Sequence, residues 1–130
     1  MKYVILIHSN PQPWGHPTCD HLSEFLELPE EQRDAMMRGF EALLGELSTS
    51  GELLTAEALA DPTSARVYRW SDGEPLPSDG PYAESKEHLA GFFLIDVESP
   101  ERAEAIAARF ASPGDIIELR PAMWPGGDDQ

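Results

Sequence analysis

Apolar and polar positions along this chain fall into blocks with two different periods. "KYVILI" at Lys2–Ile7 is apolar and β-branched, which predicts a buried strand. The stretch "SNPQPWGHPTCD" that begins at Ser9 is broken by three prolines and a glycine and reads as loop. "DHLSEFLEL" predicts a short helix with Asp20 as N-cap and Leu22, Phe25 and Leu26 on one face. Pro29, Glu30 and Glu31 suit a helix N-terminus. Met36, Met37, Phe40, Leu43, Leu44 and Leu47 then recur at three- and four-residue spacing, so an amphipathic helix is expected from about Pro29 to Ser48, with Gly51 just past its end. The Met pair on that helix reads as core filler.

The second half carries the strand period. "ELLTAEAL" and "ARVYRW" read as strands, and "SDGEPLPS" as a hairpin end because Asp72-Gly73 is a strong turn signal. "HLAGFFLIDV" lacks clean alternation, which predicts a central strand covered on both faces. Ser99 caps a second helix with Pro100 in its first turn, and Ala103, Ile106, Ala107 and Phe110 form its apolar stripe. In "DIIELRPA", Ile117 and Leu119 point one way and Ile116, Glu118 and Arg120 the other. Strand–helix–strand–strand–turn–strand–helix–strand is the order of a ferredoxin-like α+β sandwich with an extra hairpin. Both helices belong on one sheet face. Val4, Leu6, Phe92 and Leu94 then need cover on the other, and a second copy of the chain is the economical source.

Composition narrows the partners. The chain has 130 residues and a formal net charge of −15. Its length fits one domain. The charge repels phosphate backbones and anionic bilayers, so neither nucleic acid nor membrane is expected as a partner. It also leaves open a docking face for a basic protein partner. No apolar run reaches the roughly 20 residues that span a bilayer. The N-terminal apolar run ends at His8 without a small-residue cleavage site. A soluble, cytoplasmic chain is expected. The single cysteine, Cys19, cannot form a disulfide within the chain.

"DGPYAESKEHLAGFFLIDV", Asp79 to Val97, resembles the signature of the YCII-related, DGPF-domain proteins, which runs Asp-Gly-Pro-Phe-Ala-Glu-(Ser/Thr)-Lys-Glu into a Gly-containing apolar strand. "MKYVILI", the Pro29-Glu30-Glu31 helix and "IIELRPAM" extend the resemblance over nearly the whole chain. It implies one domain of this type over residues 1–122 and a homodimer in which two ferredoxin-like protomers form an α/β barrel, while "MWPGGDDQ" at 123–130 reads as a loose tail. It supplies no reaction. Some members of the family are associated with alternative sigma factors, and relatives on the same fold include enzymes. Two features depart from the pattern: Tyr82 stands where Phe is usual, and residues 9–28 form a longer segment than the family's short loop.

Candidate chemistry lies in three places. Around the motif, Asp79 caps a turn, Gly80 permits a positive φ and Pro81 starts a short helix. That structural reading stands beside a functional one, a pocket lined by Asp79, Tyr82 and Glu84 that takes a small polar ligand at free helix amides. His88, whose side-chain type titrates nearest neutrality, is a candidate general base beside Asp79, or a surface residue at a strand edge. Glu118 and Arg120 form either a charge pair or, through Arg120, a carboxylate-binding group. In the 9–28 segment and just before it, His8, His16, Cys19 and His21 are the ligand types zinc and similar metals use, although the spacing matches no standard zinc pattern. Three functions therefore remain open. They are a small-molecule binding or accessory protein that acts alongside transcriptional regulators; an enzyme with Asp79 or His88 as acid/base and Tyr82 and Arg120 orienting substrate; and a metal-binding variant.

Overall fold

A computed structural model describes residues 1–10, 14, 23–81 and 87–123. Strand β1 (Lys2–Ser9) leads to a single helical turn, α1 (Ser23–Leu26), and a long helix, α2 (Glu30–Ser50). Strands β2 (Leu53–Ala58), β3 (Arg66–Ser71), β4 (Glu74–Asp79) and β5 (His88–Asp96) follow, then helix α3 (Pro100–Phe110) and strand β6 (Ile116–Pro121). Four strands form one antiparallel sheet in the order β2-β5-β1-β6, while β3 and β4 form a separate hairpin. Sheet and helices together make the expected ferredoxin-like α+β fold with an extra hairpin.

Local chemistry sets the helix ends. In α2, glutamates occupy the first turn, and Gly51 ends it at φ 81°, donating its N–H to Ser48 O at 3.3 Å. In α3, Ser99 Oγ accepts the Arg102 N–H at 3.0 Å and Pro100 takes the first position. Around α1 the sequence expectation is corrected in part. The helix stops at Leu26, which is exposed, because Leu28 N–H turns back to Phe25 O and the residue before Pro29 is barred from helical geometry. Among the described side chains of α1, Phe25 is the buried one, against Leu28, Met36 and Met37. Asp20 and Leu22 lie outside the described residues.

The core sits between the helices and one sheet face. Ile5 and Ile7 of β1 and Ile95 of β5 meet Leu43 and Leu47 of α2 and Ile106 and Phe110 of α3. Phe110 packs edge-on to Phe40 and against Phe93. The opposite face carries Val4 and Leu6 on β1, paired with Leu94 and Phe92 on β5 and with Arg120 and Glu118 on β6. None of these six is fully buried. The expectation that β5 is covered on both faces therefore holds for the helix side alone within one chain.

The sheet has one irregularity that matters. The β1–β5 register shifts between Ile7 and His8, so Ile7 pairs with Gly91, His8 with Leu89, and Ala90 is the extra residue of a bulge. Ala90 O accepts the N–H of Leu59 at 2.8 Å, which ties the segment after β2 to the bulge.

The β3–β4 hairpin turns through Asp72 and Gly73, at φ 51° and 82°, a two-residue turn with both central residues left-handed. The segment read as a plain hairpin end continues as β4. Tyr68 lies opposite Pro77 and Trp70 opposite Pro75, so these four share one face of the ribbon. Counting outward from the turn, Ser71 and Glu74 are a hydrogen-bonded pair, which puts Pro75 and Pro77 at positions whose nitrogens point away from β3. Tyr68 is 66% and Trp70 74% exposed.

Candidate functional site

The bulge and the 59–65 segment build a cleft at the end of β1. Leu59 is held from two sides. Its N–H bonds Ala90 O, and its carbonyl accepts the indole N–H of Trp14 at 2.9 Å. Beyond it, Asp61 caps the single 3-10 turn Pro62–Ser64: its Oδ1 accepts the Thr63 N–H at 2.9 Å and the Thr63 hydroxyl at 3.0 Å, and Ser64 Oγ donates to Asp61 O. Ala65 O accepts the Gly80 N–H, and Gly80 sits at φ 92°. The Asp-Gly-Pro motif therefore turns the chain at the root of the hairpin, and the left-handed glycine expected there is present.

The cleft so formed has a volume of about 500 Å³. His8 and Leu89 border it from the sheet, His88 and Glu87 from the start of β5, and Pro62, Ala65 and Pro81 from the turns. A smaller hollow of about 260 Å³ adjoins it and is lined by Trp14, Asn10, Thr63 and the same His88. A cleft of this size falls in the range that holds a small molecule.

His8 is held in the cleft wall by a carboxylate. Its Nε2 lies 2.9 Å from Glu118 Oε1, across the β1–β6 pairing. Glu118 Oε2 lies 3.1 Å from Arg120 Nε. The carboxylate is thus shared between an imidazole and a guanidinium on the sheet face away from the helices. A carboxylate on one ring nitrogen fixes the ring's orientation and leaves the other nitrogen to exchange a proton. His88 lines the same cleft and supplies a second imidazole.

The remaining sequence candidates fall elsewhere. Asp79 is 83% exposed and pairs with Arg66 across the hairpin at 3.0 Å; it does not border the cleft. Arg120 is exposed and bound to Glu118. Tyr82 and Glu84 lie outside the described residues, as do His16, Cys19 and His21 of the metal reading. Of that set only His8 is described, and its partner is Glu118. Among the described residues no three His, Cys, Asp or Glu side chains are grouped to hold a metal. No helix among them is long and apolar enough to cross a membrane.

Sequence reasoning assigned His8 to metal binding and Glu118 to Arg120, and so missed their contact. The signal was the shared parity of His8 and Glu118 on their strands, which becomes informative only when β1 and β6 are known to be neighbours. The helix side of the sheet carries a separate hollow of about 310 Å³ with neither histidine in its wall.

Comparison with known proteins places these features in a family. The model of the YCII-related domain matches residues 1–121. An uncharacterized protein of Rhizobium meliloti (strain 1021) is 38% identical over 103 residues, covering 76% of this chain and 83% of its own length.

Proposed function

We propose that this protein, which belongs to the YCII-related family, binds a small polar molecule in the cleft between His8 and His88 and moves a proton on it. The observation that carries this reading is the meeting of two imidazoles on one cleft, with His8 held by Glu118 at 2.9 Å. Imidazole is the side chain suited to giving and taking protons near neutral pH, and a carboxylate partner holds the ring in place. Leu59, Leu89 and the prolines supply the apolar walls that a bound molecule needs for affinity. The Asp79 motif acts here as the hinge that sets the cleft's edge rather than as its chemistry.

The working form in this reading is a homodimer joined through the open sheet face. Val4, Leu6, Phe92 and Leu94 are incompletely covered there, and Leu89 and Ile116 are 39% and 53% exposed. A contiguous apolar face of this kind is what an interface between copies requires.

The test is ligand-observed NMR with a panel of small hydroxy acids, phenols and amides, run on the wild type and on His8→Gln and His88→Gln. Hits should lose about tenfold or more in affinity in either variant, while the fold is kept. Hits that bind both variants as well as the wild type defeat the cleft assignment. A second reading, an accessory role without chemistry, draws on the net charge of −15. It predicts capture of a basic protein partner that weakens as salt is raised.

A further inference from the structure

We propose that Trp14 sets the specificity of the cleft between His8 and His88, and that the ligand is a polar group joined to a flat aromatic ring. The polar group lies by the histidines and the ring lies against the indole. This selection rests on the assignment of the cleft to a small polar molecule, which makes no use of Trp14. The smaller hollow of about 260 Å³ has Trp14 in its wall and shares Asp61, Pro62, Pro81 and His88 with the cleft. A molecule held at His88 therefore borders both spaces.

Several donors of this wall are spent within the protein. The Trp14 indole N–H goes to Leu59 O at 2.9 Å. The N–H and the hydroxyl of Thr63 both go to Asp61 Oδ1, at 2.9 and 3.0 Å. Leu59 is tied in turn to Ala90 O at the bulge, so the indole is anchored to the sheet through one residue. With its N–H engaged, a half-buried Trp14 has its ring left to offer a guest. Pro62, Pro81 and His88 add three more rings to the same wall.

A wall of this kind prefers a flat ring for a definite reason. An indole pairs with another aromatic ring beyond what area burial alone gives, through offset or edge-on contact of the two π-systems. A ring already fixed by a hydrogen bond gives up little freedom when a guest settles on it. A saturated ring of the same size buries as much apolar surface, so burial by itself does not favour the aromatic guest. Preference for the flat ring is therefore a signature of contact with the indole. His88, common to both spaces, is placed to meet the polar group next to that ring.

The probes are 2-phenylacetamide and 2-cyclohexylacetamide, which share the amide and differ in the ring, titrated into the whole protein carrying isotope-labelled tryptophan. The phenyl compound should shift the Trp14 indole N–H signal saturably and leave that of Trp70, 74% exposed on the hairpin, in place. It should bind about threefold to tenfold more tightly than the cyclohexyl compound. Trp14→Leu keeps apolar bulk without a ring and should erase that preference while sparing the cyclohexyl compound. Trp14→Phe should restore the preference. His88→Gln should weaken both compounds about tenfold or more. Equal affinities in the wild type, both lost in His88→Gln, overturn the ring selection and leave the cleft assignment standing. No binding of either compound, or binding that His88→Gln does not weaken, overturns both. A Trp14→Leu variant that keeps the preference, or that weakens the two compounds alike, makes Trp14 a structural residue and overturns the selection.

Discussion

His8 of β1 and Glu118 of β6 touch at 2.9 Å although 110 residues separate them in the chain. Both side chains are partly open to solvent, at 30% and 41% exposure, so the pair adds at most about 1 kcal/mol to stability. Glu118→Gln should therefore leave the denaturation midpoint nearly unchanged. If His8 is the proton-transfer group of the cleft, the same variant should weaken ligand binding or turnover about tenfold. Loss of stability without loss of binding points instead to a structural pair.

Glu52, just before β2, grips Arg102 of α3 with two bonds of 2.9 Å, Nε to Oε2 and Nη2 to Oε1. Arg102 lowers the Glu52 pKa, burial opposes it, and the Ser50 hydroxyl adds to the lowering. A depressed carboxyl stabilises the fold above its unfolded value, and that contribution is lost as pH falls through the folded one. Glu52→Gln should cost about 1–2 kcal/mol at pH 7 in chemical denaturation. The gap from wild type should close as pH is taken below the ordinary 4.5, and a gap independent of pH removes the ionic account.

Leu43 is fully buried where α2 crosses the sheet, against the β1 and α3 side chains of the core. Leu43→Ala should destabilise by about 3 kcal/mol with an unchanged denaturant slope. A cost under about 1 kcal/mol would mean that α2 is anchored elsewhere.

Trp70 and Tyr68 are exposed on one face of a hairpin whose root, at Ala65 and Pro81, lines the same cleft as His8 and Leu89. Each ring hides on the order of 150–200 Å² when covered, against the roughly 800 Å² per partner of a stable interface. The hairpin alone is too small for that, so in the proposed homodimer it would add to the open sheet face. In the proposed homodimer, Trp70→Ser should raise the dissociation constant about tenfold or more by sedimentation equilibrium. A dimer unaffected by the change leaves the hairpin outside the interface, and a wild-type chain that sediments as a monomer removes the dimer itself.

What the sequence disclosed follows the reach of each signal. Ser99 and Pro100 announced α3, and the Met36-to-Leu47 spacing announced α2, because caps and periodicity act within a few residues. Gly80 was legible because a left-handed backbone position selects glycine directly. The bulge at Ala90 was not, since it exists only relative to β1. Glu118 was rightly set beside Arg120, but its contact with His8 was not foreseen, because strand order fixes that contact and no local pattern encodes strand order. "SDGEPLPS" was read as a hairpin end from Asp72-Gly73, and its second half runs on as β4, because alternate prolines fit a strand when every second nitrogen faces outward.

That last arrangement has a consequence for how the molecule behaves in a crowded solution. A lone ribbon with bare aromatic rings is a standing invitation to fibril growth, each arriving chain adding its backbone to the previous one. Pro75 and Pro77 remove two donors from the outward rim of β4 and fill it with pyrrolidine rings. Strand addition along β4 is thereby disfavoured, which leaves the flat side of the ribbon, with its two rings, the better surface for a finite contact.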